Sequence, residues 1–265
     1  MKIAGSSVLL TGAAGGLGGA IARALHARGA QLTLTGRRTD DVLESLAANL
    51  GARALAADLS DRVEVERLLD LDAGAVDILI ANAGLPASGR LESFSIEEID
   101  RALEVNLRAP IVLARALLPQ MLQRGRGHLL FVSSLAGKAP APGSSIYTAT
   151  KAGLRGFAAA LRTELHASGV GVSAVFPGFI RDAGFFADTG IQLPRGVGTR
   201  SPEDVARAVV DAIERDRGEV DVAPFGLRIG AIVSGLAPEV AAGVSRRLGG
   251  EAVAREFEAA QRDKR

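Results

Sequence analysis

The chain has 265 residues, 48% of them hydrophobic, with no cysteine and with 31 basic against 30 acidic residues for a formal net charge of +1. That length and apolar content suffice to bury a large core in one domain, 1–265, at the long end of the usual range. The even charge balance gives no reason to expect nucleic acid or an anionic membrane as partner, and the missing thiols exclude disulfides and thiolate metal sites and suit a reducing, cytoplasmic setting.

Val8-Leu9-Leu10 is a strand-like run that begins almost at once, leaving no room for a secretory apolar segment. It ends in Thr11-Gly12-Ala13-Ala14-Gly15-Gly16-Leu17-Gly18, and an amphipathic stretch over 19–28 follows and stops at Gly29. Strand, glycine turn and helix form the context that a phosphate-binding turn needs. Glycines let the backbone approach a pyrophosphate, and a helix N-terminus offers free N–H groups and a partial positive charge. The spacing of Gly12, Gly16 and Gly18 departs from a strict GxGxxG, and a turn used only as punctuation is the plainer alternative.

Residues 31–35 read as a second strand ending in Gly36-Arg37-Arg38. A dinucleotide fold that prefers NAD carries an acid at this strand end for the ribose hydroxyls. Two arginines stand here instead, and guanidinium matches a 2′-phosphate in geometry and charge, which favours NADP over NAD. A helix over 40–50 leads to a third strand, 53–56, closed by Asp58-Leu59. Asp58 is placed either to accept from an adenine amino group or to cap the next helix, whose start Ser60-Asp61 signals.

Residues 76–80 form a fourth strand, apolar through its centre as a parallel strand covered on both faces should be. It ends in Ala81-Asn82-Ala83-Gly84, whose small residues permit close backbone approach while Asn82 can satisfy strand-end groups. Ser95 with Glu98 predicts a capping box opening a long helix through Asn106 to about Arg124. Asn106 sits among Ala102, Leu103, Val105, Leu107 and Ile111. A buried amide needs partners, so it is either a locally satisfied helix bend or part of a site.

Residues 128–133 make the fifth strand, ending in Ser133-Ser134. A Gly/Pro-rich loop then leads to a helix carrying the only tyrosine, Tyr147, with Lys151 four residues on and therefore on the same face. An ammonium beside a phenol lowers a tyrosine pKa from about 10 and readies it to exchange a proton with a carbonyl or alcohol oxygen. A packed Tyr beside a solvated Lys is the bland alternative.

The sixth strand, 171–176, closes with Pro177-Gly178. Residues 179–200 lack a period, and Pro194, Gly196 and Gly198 mark a loop. With Phe179, Phe185, Phe186, Ile191 and Leu193 it reads as a substrate loop or lid for a bulky or apolar substrate. Ser201-Pro202-Glu203-Asp204 opens a helix to about Arg217, with proline at its first position, and 219–222 form a last strand. The apolar stretch 225–244 is interrupted by Arg228, Pro238 and Glu239. It fails as a membrane span and reads as a core or interface segment. The final residues, to Arg265, read as a frayed charged helix. His26, His128 and His166 are isolated surface or helix-end histidines, so no metal site is expected. A serine hydrolase is disfavoured by the lack of Gly-x-Ser-x-Gly.

Strands alternating with helices at this spacing imply an α/β fold, a doubly wound (Rossmann-type) three-layer sandwich with a seven-stranded, mainly parallel sheet. Its ligands bind at the C-terminal strand ends, where Thr11-Gly12, Arg37, Asp58, Asn82, Ser134 and Pro177 converge.

With these motifs in order, the chain resembles the short-chain dehydrogenase/reductase family over nearly its whole length. The matching stretches are Thr11–Gly18, Asp58-Leu59, Ala81-Asn82-Ala83-Gly84, Asn106, Ser133-Ser134, Tyr147-x-x-x-Lys151 and Pro177-Gly178. The spacing to Tyr147 favours Ser134 over Ser133 as the family's active serine. The resemblance implies a catalytic tetrad of Asn106, Ser134, Tyr147 and Lys151. Tyr147 would be the general acid or base and Ser134 the holder of the substrate oxygen. Lys151 would bind nicotinamide-ribose hydroxyls and lower the tyrosine pKa, and Asn106 would position a water in a proton relay. It further implies an NADP(H) cofactor, NAD being possible, lined by Gly12, Ala14, Gly15, Gly16, Leu17, Gly18, Arg37, Arg38, Asp58, Leu59, Asn82, Ala83, Gly84, Tyr147, Lys151, Pro177, Gly178 and Ile180. A ketone or secondary alcohol would be the substrate of a tetramer or dimer paired through the Asn106 and Tyr147 helices. Two departures stand out. Asp182 occupies the place of the family's nicotinamide-contacting threonine, which would put negative charge near the ring. Gly15 stands where NADP-using relatives carry a basic residue. The competing reading is a non-enzymatic NADP(H)-binding sensor or scaffold on the same fold.

Overall fold

A computed structural model describes every residue except 73–75, 188, 192, 194–196, 241–242, 244–249 and 262–265. Pro194 and Gly196 of the predicted loop therefore lie outside the described residues, as do positions 241, 242 and 244 of the late apolar stretch.

Seven strands form one sheet in the order β3-β2-β1-β4-β5-β6-β7. They are β1 Ser7–Leu10, β2 Gln31–Gly36, β3 Arg53–Ala56, β4 Ile78–Ala81, β5 Gly127–Val132, β6 Val170–Pro177 and β7 Glu219–Val222. Each pairing is parallel. The central strands β4 and β5 are buried at every position. Successive side chains point to opposite faces, and the sheet divides the apolar residues into two cores accordingly. Leu10, Ile78, Ile80 and Leu130 pack with Ile21 and Leu25 of α1 (Gly16–His26) and with Val205 and Val209 of α8 (Pro202–Glu214). Leu9, Leu79, Leu129 and Phe131 pack with Leu113 and Leu117 of α5 (Ala109–Arg124) and with Leu154 of α6 (Ser145–Glu164). The chain runs outward from β1 to β3 and then returns to begin β4 on the other side of β1. The crevice at the C-terminal ends of β1 and β4 is thus the topological switch point, where such sheets bind ligands.

Local signals start the helices where they were expected. Asp40 caps α2 (Asp41–Leu50) by accepting from Leu43 N–H at 3.0 Å. Ser95 and Glu98 form the capping box of α4 (Ile96–Leu103), and Ser201 with Asp204 forms another on α8. The predicted helix from Ser95 to Arg124 is not uniform. Between α4 and α5 it widens into a π turn over Glu104–Arg108. Pro110 has no N–H to give the carbonyl four residues back, that of Asn106, and the turn relaxes around the gap. After α3 (Arg62–Asp72) and the remaining strands, the described residues of the 179–200 segment include a short helix, α7 (Gly184–Ala187).

One expectation is corrected. His128 is no surface residue: it is 1% exposed on β5, where it faces Gly171 of β6. A Cβ on Gly171 would sit 2.4 Å from the imidazole, so the glycine makes the room, and His128 Nε2 meets Ser173 Oγ at 2.9 Å. Burial holds its pKa down at about 4, against the pull of Asp216. Of the late apolar stretch, expected as core or interface, α9 (Phe225–Leu236) buries Ala231 and Ser234 but leaves Phe225 74% and Leu236 83% exposed, the apolar exposure an interface segment would show. The last helix, α10 (Gly250–Gln261), buries Gln261 at 3% exposure, and the final residues 262–265 lie outside the described ones. Among the described residues no helix is long and apolar enough to cross a membrane.

Candidate active site

The glycine turn is built by close backbone approach. Gly12 has φ +68°, and a Cβ there would lie 2.8 Å from Ala83 Cα; at Gly18 it would lie 2.2 Å from the Gly12 carbonyl oxygen. Thr11 Oγ1 accepts from the N–H groups of Asn82 and Ala83, both at 3.0 Å. Asn82 Nδ2 donates back to the Thr11 and Gly12 carbonyls at 3.0 and 3.2 Å. Asn82 thereby ties the ends of β1 and β4 together, as its position in the sequence suggested. Gly15, the N-cap of α1, offers no side chain, so nothing of the cap itself occupies the first-turn N–H groups.

A cavity of about 1150 Å³ runs along these strand ends. Its wall brings together Gly12, Ala14, Gly15, Gly16, Leu17, Gly18, Arg37, Asp58, Leu59, Asn82, Ala83, Gly84, Ser134, Tyr147, Lys151, Pro177, Gly178 and Ile180. Arg38 is exposed and off this wall, and Asn106 is fully buried behind it. The turn that a Cβ would fill, beside a long cleft at the switch point, fits a dinucleotide.

At the Arg37 end, Asp58 accepts from Ser60 N–H at 2.9 Å and Ser60 Oγ at 2.7 Å, while Asp61 accepts from Val63 N–H and opens α3. The capping role thus falls to the neighbour, leaving Asp58 on the wall. Burial pushes the Asp58 carboxyl up, but the Ser60 hydrogen bonds and the charges of Arg101 and Arg37 outweigh it and hold the pKa below its ordinary value. Arg101, on α4, also lines the cavity. On a helix rich in charge, nothing in its spacing marked it.

At the other end, the two serines after β5 part ways. Ser133 Oγ is buried and donates to the Lys151 carbonyl at 2.9 Å, fastening β5 to α6. Ser134 lies on the cavity wall, accepts from Ala136 N–H at 3.2 Å and is near enough to the Tyr147 phenol to lower its pKa. Lys151 Nζ donates to the Val132 carbonyl at 3.1 Å and stands 5.8 Å from the centre of the Tyr147 ring. Asn106 Oδ1 accepts from Leu85 N–H at 2.7 Å, and its Nδ2 donates to the Leu85 carbonyl at 3.0 Å and to Thr150 Oγ1 at 3.4 Å. Both readings of Asn106 hold in part: it lies at a helix bend and behind the site. Its amide is committed to the strand-end loop and to α6, so the side chain clamps the two together.

The electrostatics correct one expectation. Burial pushes the Tyr147 phenol up to about 12, and the bond from Ser134 is what opposes the rise. Burial also lowers Lys151 to about 8. Desolvation disfavours the charged form of each group and is the largest cause of both shifts. Asp182, at φ +67°, has a side chain that is 72% exposed, pairs with Arg181 at 3.3 Å and stands off the cavity wall.

The 179–187 segment closes over the cleft. A Cβ on Gly16 would meet Ala183 Cβ at 2.4 Å, and the Phe185 ring stands edge-on to Tyr147 at 6.3 Å. Leu193 also lines the cavity, whereas Ile191 does not. Missed altogether in the sequence were Leu227 and Ala231 of α9 and Phe257 and Gln261 of α10, all on the wall. Their recruitment depends on how the chain's end folds back, which no local pattern announces.

Fold and site define a dinucleotide-binding oxidoreductase. The short chain dehydrogenase family model matches residues 6–190. A ketoacyl reductase, HetN, of Nostoc sp. (strain PCC 7120) is 37% identical over 228 residues, 83% of this chain and 79% of that protein. A short-chain dehydrogenase from Sphingobium yanoikuyae, solved with NADPH, superposes with a TM-score of 0.76 at 30% identity, covering 89% of this chain and 95% of the other. The bulky-bulky ketone specific alcohol dehydrogenase from Comamonas testosteroni does so with 0.72 at 27% identity, covering 88% and 94%. The chain belongs to the short-chain dehydrogenase/reductase family. Its chemistry is accordingly that of a ketone/alcohol oxidoreductase, and its cofactor is a nicotinamide dinucleotide.

Proposed function

We propose that the chain is an NADP(H)-dependent carbonyl reductase acting on a bulky or apolar ketone, with Ser134, Tyr147 and Lys151 as its catalytic residues and Asn106 as their positioning residue. The observation that carries the reading is the meeting of the Ser134 hydroxyl, the Tyr147 phenol and the Lys151 ammonium on one wall of the cavity that also holds the glycine turn.

The bound nicotinamide supplies the hydride for reduction and accepts it in the reverse direction. Tyr147, held protonated by burial, gives its phenolic proton to the carbonyl oxygen as negative charge develops there. Ser134 donates a second hydrogen bond to that oxygen, worth most in a site from which water is excluded. Lys151 keeps a positive charge near the phenolate that Tyr147 becomes. Asn106 braces α6 against Leu85 and so fixes the angle at which Tyr147 and Lys151 are presented. The turn Gly12–Gly18 would hold the pyrophosphate, Asp58-Leu59 the adenine, Asn82, Ala83, Gly84, Tyr147 and Lys151 the riboses, and Pro177, Gly178 and Ile180 the carboxamide end.

Support for NADP comes from Arg37 on the wall, the missing acid after Gly36 and the NADPH bound by the Sphingobium neighbour. Support for bulk comes from Phe179, Phe185 and Phe186 on the wall and from the ketone preference in the Comamonas neighbour's name. On this reading residues 1–265 act as one domain with 179–200 as substrate loop, in a cytoplasmic homo-oligomer paired through α5 and α6. The test is titration with NADPH and NADH separately, followed by a ketone panel with the preferred one. Tyr147→Phe should largely keep NADPH binding, losing only the phenol's share of the ribose contacts, and lose at least a hundredfold in kcat, in keeping with the roughly 10²–10⁴ that a general acid supplies. Tight NADPH binding with no turnover of any ketone would instead make the chain a sensor or scaffold.

A further inference from the structure

The C-terminal helix α10 lies outside the 6–190 stretch that the family model matches, yet it reaches back to the cavity. Phe257 and Gln261 are one helical turn apart and therefore share a face. The Phe257 ring stands 6.4 Å from that of Phe179 and 6.1 Å from that of Phe186, and those two are 5.2 Å apart. Three rings from two distant segments thus form one aromatic surface. One turn on, Gln261 Nε2 donates to the Phe185 carbonyl at 3.1 Å, behind the ring that stands edge-on to Tyr147. That bond settles which way the amide points, because a carbonyl only accepts. Among the described residues Gln261 Oε1 is buried without a hydrogen-bond partner, so the amide is half satisfied.

We propose that Phe257 and Gln261 are substrate-specificity residues, forming with Phe179, Phe185 and Phe186 a wall that selects ketones bearing an aromatic or branched apolar group next to the reacting carbon. The inference rests on the carbonyl-reductase reading above and deepens it. Phe257 supplies contact area to the substrate's large group. Gln261 acts through Phe185, keeping that ring upright between the wall and the phenol. A small ketone reaches Tyr147 and Ser134 without touching the wall and is indifferent to both residues.

The experiment compares wild type with Phe257→Ala, Phe257→Tyr and Gln261→Met, using propiophenone and butan-2-one with NADPH. Readouts are kcat/KM for each ketone, NADPH affinity by fluorescence titration, propiophenone affinity for the NADPH complex, and the melting temperature. Phe257→Ala is expected to lower kcat/KM for propiophenone about tenfold to a hundredfold through KM, the scale of one lost aromatic contact surface. Butan-2-one should change less than about threefold, since it leaves that surface untouched. Phe257→Tyr keeps the ring and should keep the preference. Gln261→Met, similar in length but without the amide, should lower the propiophenone to butan-2-one ratio several-fold while leaving NADPH affinity and melting temperature in place. Equal losses for both ketones, or none, would overturn the proposal. Failure of the wild type to reduce any ketone while binding NADPH would sink the reductase reading alone, because the wall is still read from propiophenone affinity. Wild-type binding that Phe257→Ala does not weaken, or no binding, would sink the wall.

Discussion

Ser133→Ala and Ser134→Ala remove hydroxyls from neighbouring residues at the end of β5, yet they are expected to fail in different assays. Ser133 Oγ is buried and spends its proton on the Lys151 carbonyl at 2.9 Å. Its loss removes one neutral hydrogen bond and costs about 0.5–1.5 kcal/mol of stability. For a domain of this size that is a drop of about 2–4 °C in Tm per kcal/mol. The Lys151 carbonyl keeps its helical donor inside α6, so Tyr147 and Lys151 should stay near their places and kcat should fall no more than about threefold, an effect under 1 kcal/mol. Ser134 lies beside the phenol on the cavity wall. Removing it takes one of two donors from the developing oxyanion, a loss of about 10²–10³ in kcat, or roughly 3–4 kcal/mol at the transition state. The protein should melt near the wild-type temperature, since the other bond lost, from Ala136 N–H, lies at a short 3-10 turn beside an open cleft. The assay pairs thermal melts with single-turnover reduction at saturating NADPH. A Ser133→Ala variant that is stable but inactive, or a Ser134→Ala variant that is active but unstable, would refute the division of labour between the two hydroxyls.

Lys151→Met should stabilise the unliganded protein at pH 7 while abolishing turnover. Lys151 has a folded pKa of about 8, below the ordinary 10.5, so its burial costs stability in full below pH 8 and nothing once pH passes 10.5. The gain, at most about 3 kcal/mol before the lost bond to Val132 is subtracted, should therefore vanish in melts taken near pH 10.5. Tyr147 works the opposite way. With its pKa raised to about 12, the stability it contributes is complete below pH 10 and is lost as pH climbs toward 12, a loss that Tyr147→Phe should remove from the pH-melt curve. Arg37→Ala should raise the NADPH Kd about tenfold to a hundredfold, as expected for a charged hydrogen bond, and leave NADH binding within about twofold. Gly18→Ala should abolish nucleotide binding, because its Cβ would lie 2.2 Å from a backbone carbonyl that has no rotamer with which to escape, and titration calorimetry would read this directly.

Sequence alone determined the parts that depend on neighbours along the chain. Period-2 and period-3.6 runs, the boxes at Ser95 and Ser201 and the glycine turn are local, and the structure has each element there within a few residues. Tyr147 and Lys151 share a face because four residues is one helical turn. Tertiary structure alone decided what depends on the sum of distant surroundings. It buried His128 opposite Gly171, exposed much of the apolar α9, and turned the Ser133 hydroxyl onto the Lys151 carbonyl while leaving Ser134 less buried beside Tyr147, although the two serines are adjacent and chemically identical. It reversed the expected direction of the Tyr147 shift, because burial of the phenol disfavours its charged form and is the largest influence on it. It also brought Phe257 and Gln261 to the site from the far end of the chain. Strand alternation and helix caps are written in a few consecutive residues; burial is a property of the whole packed chain, and the chemistry of this cleft is set by burial.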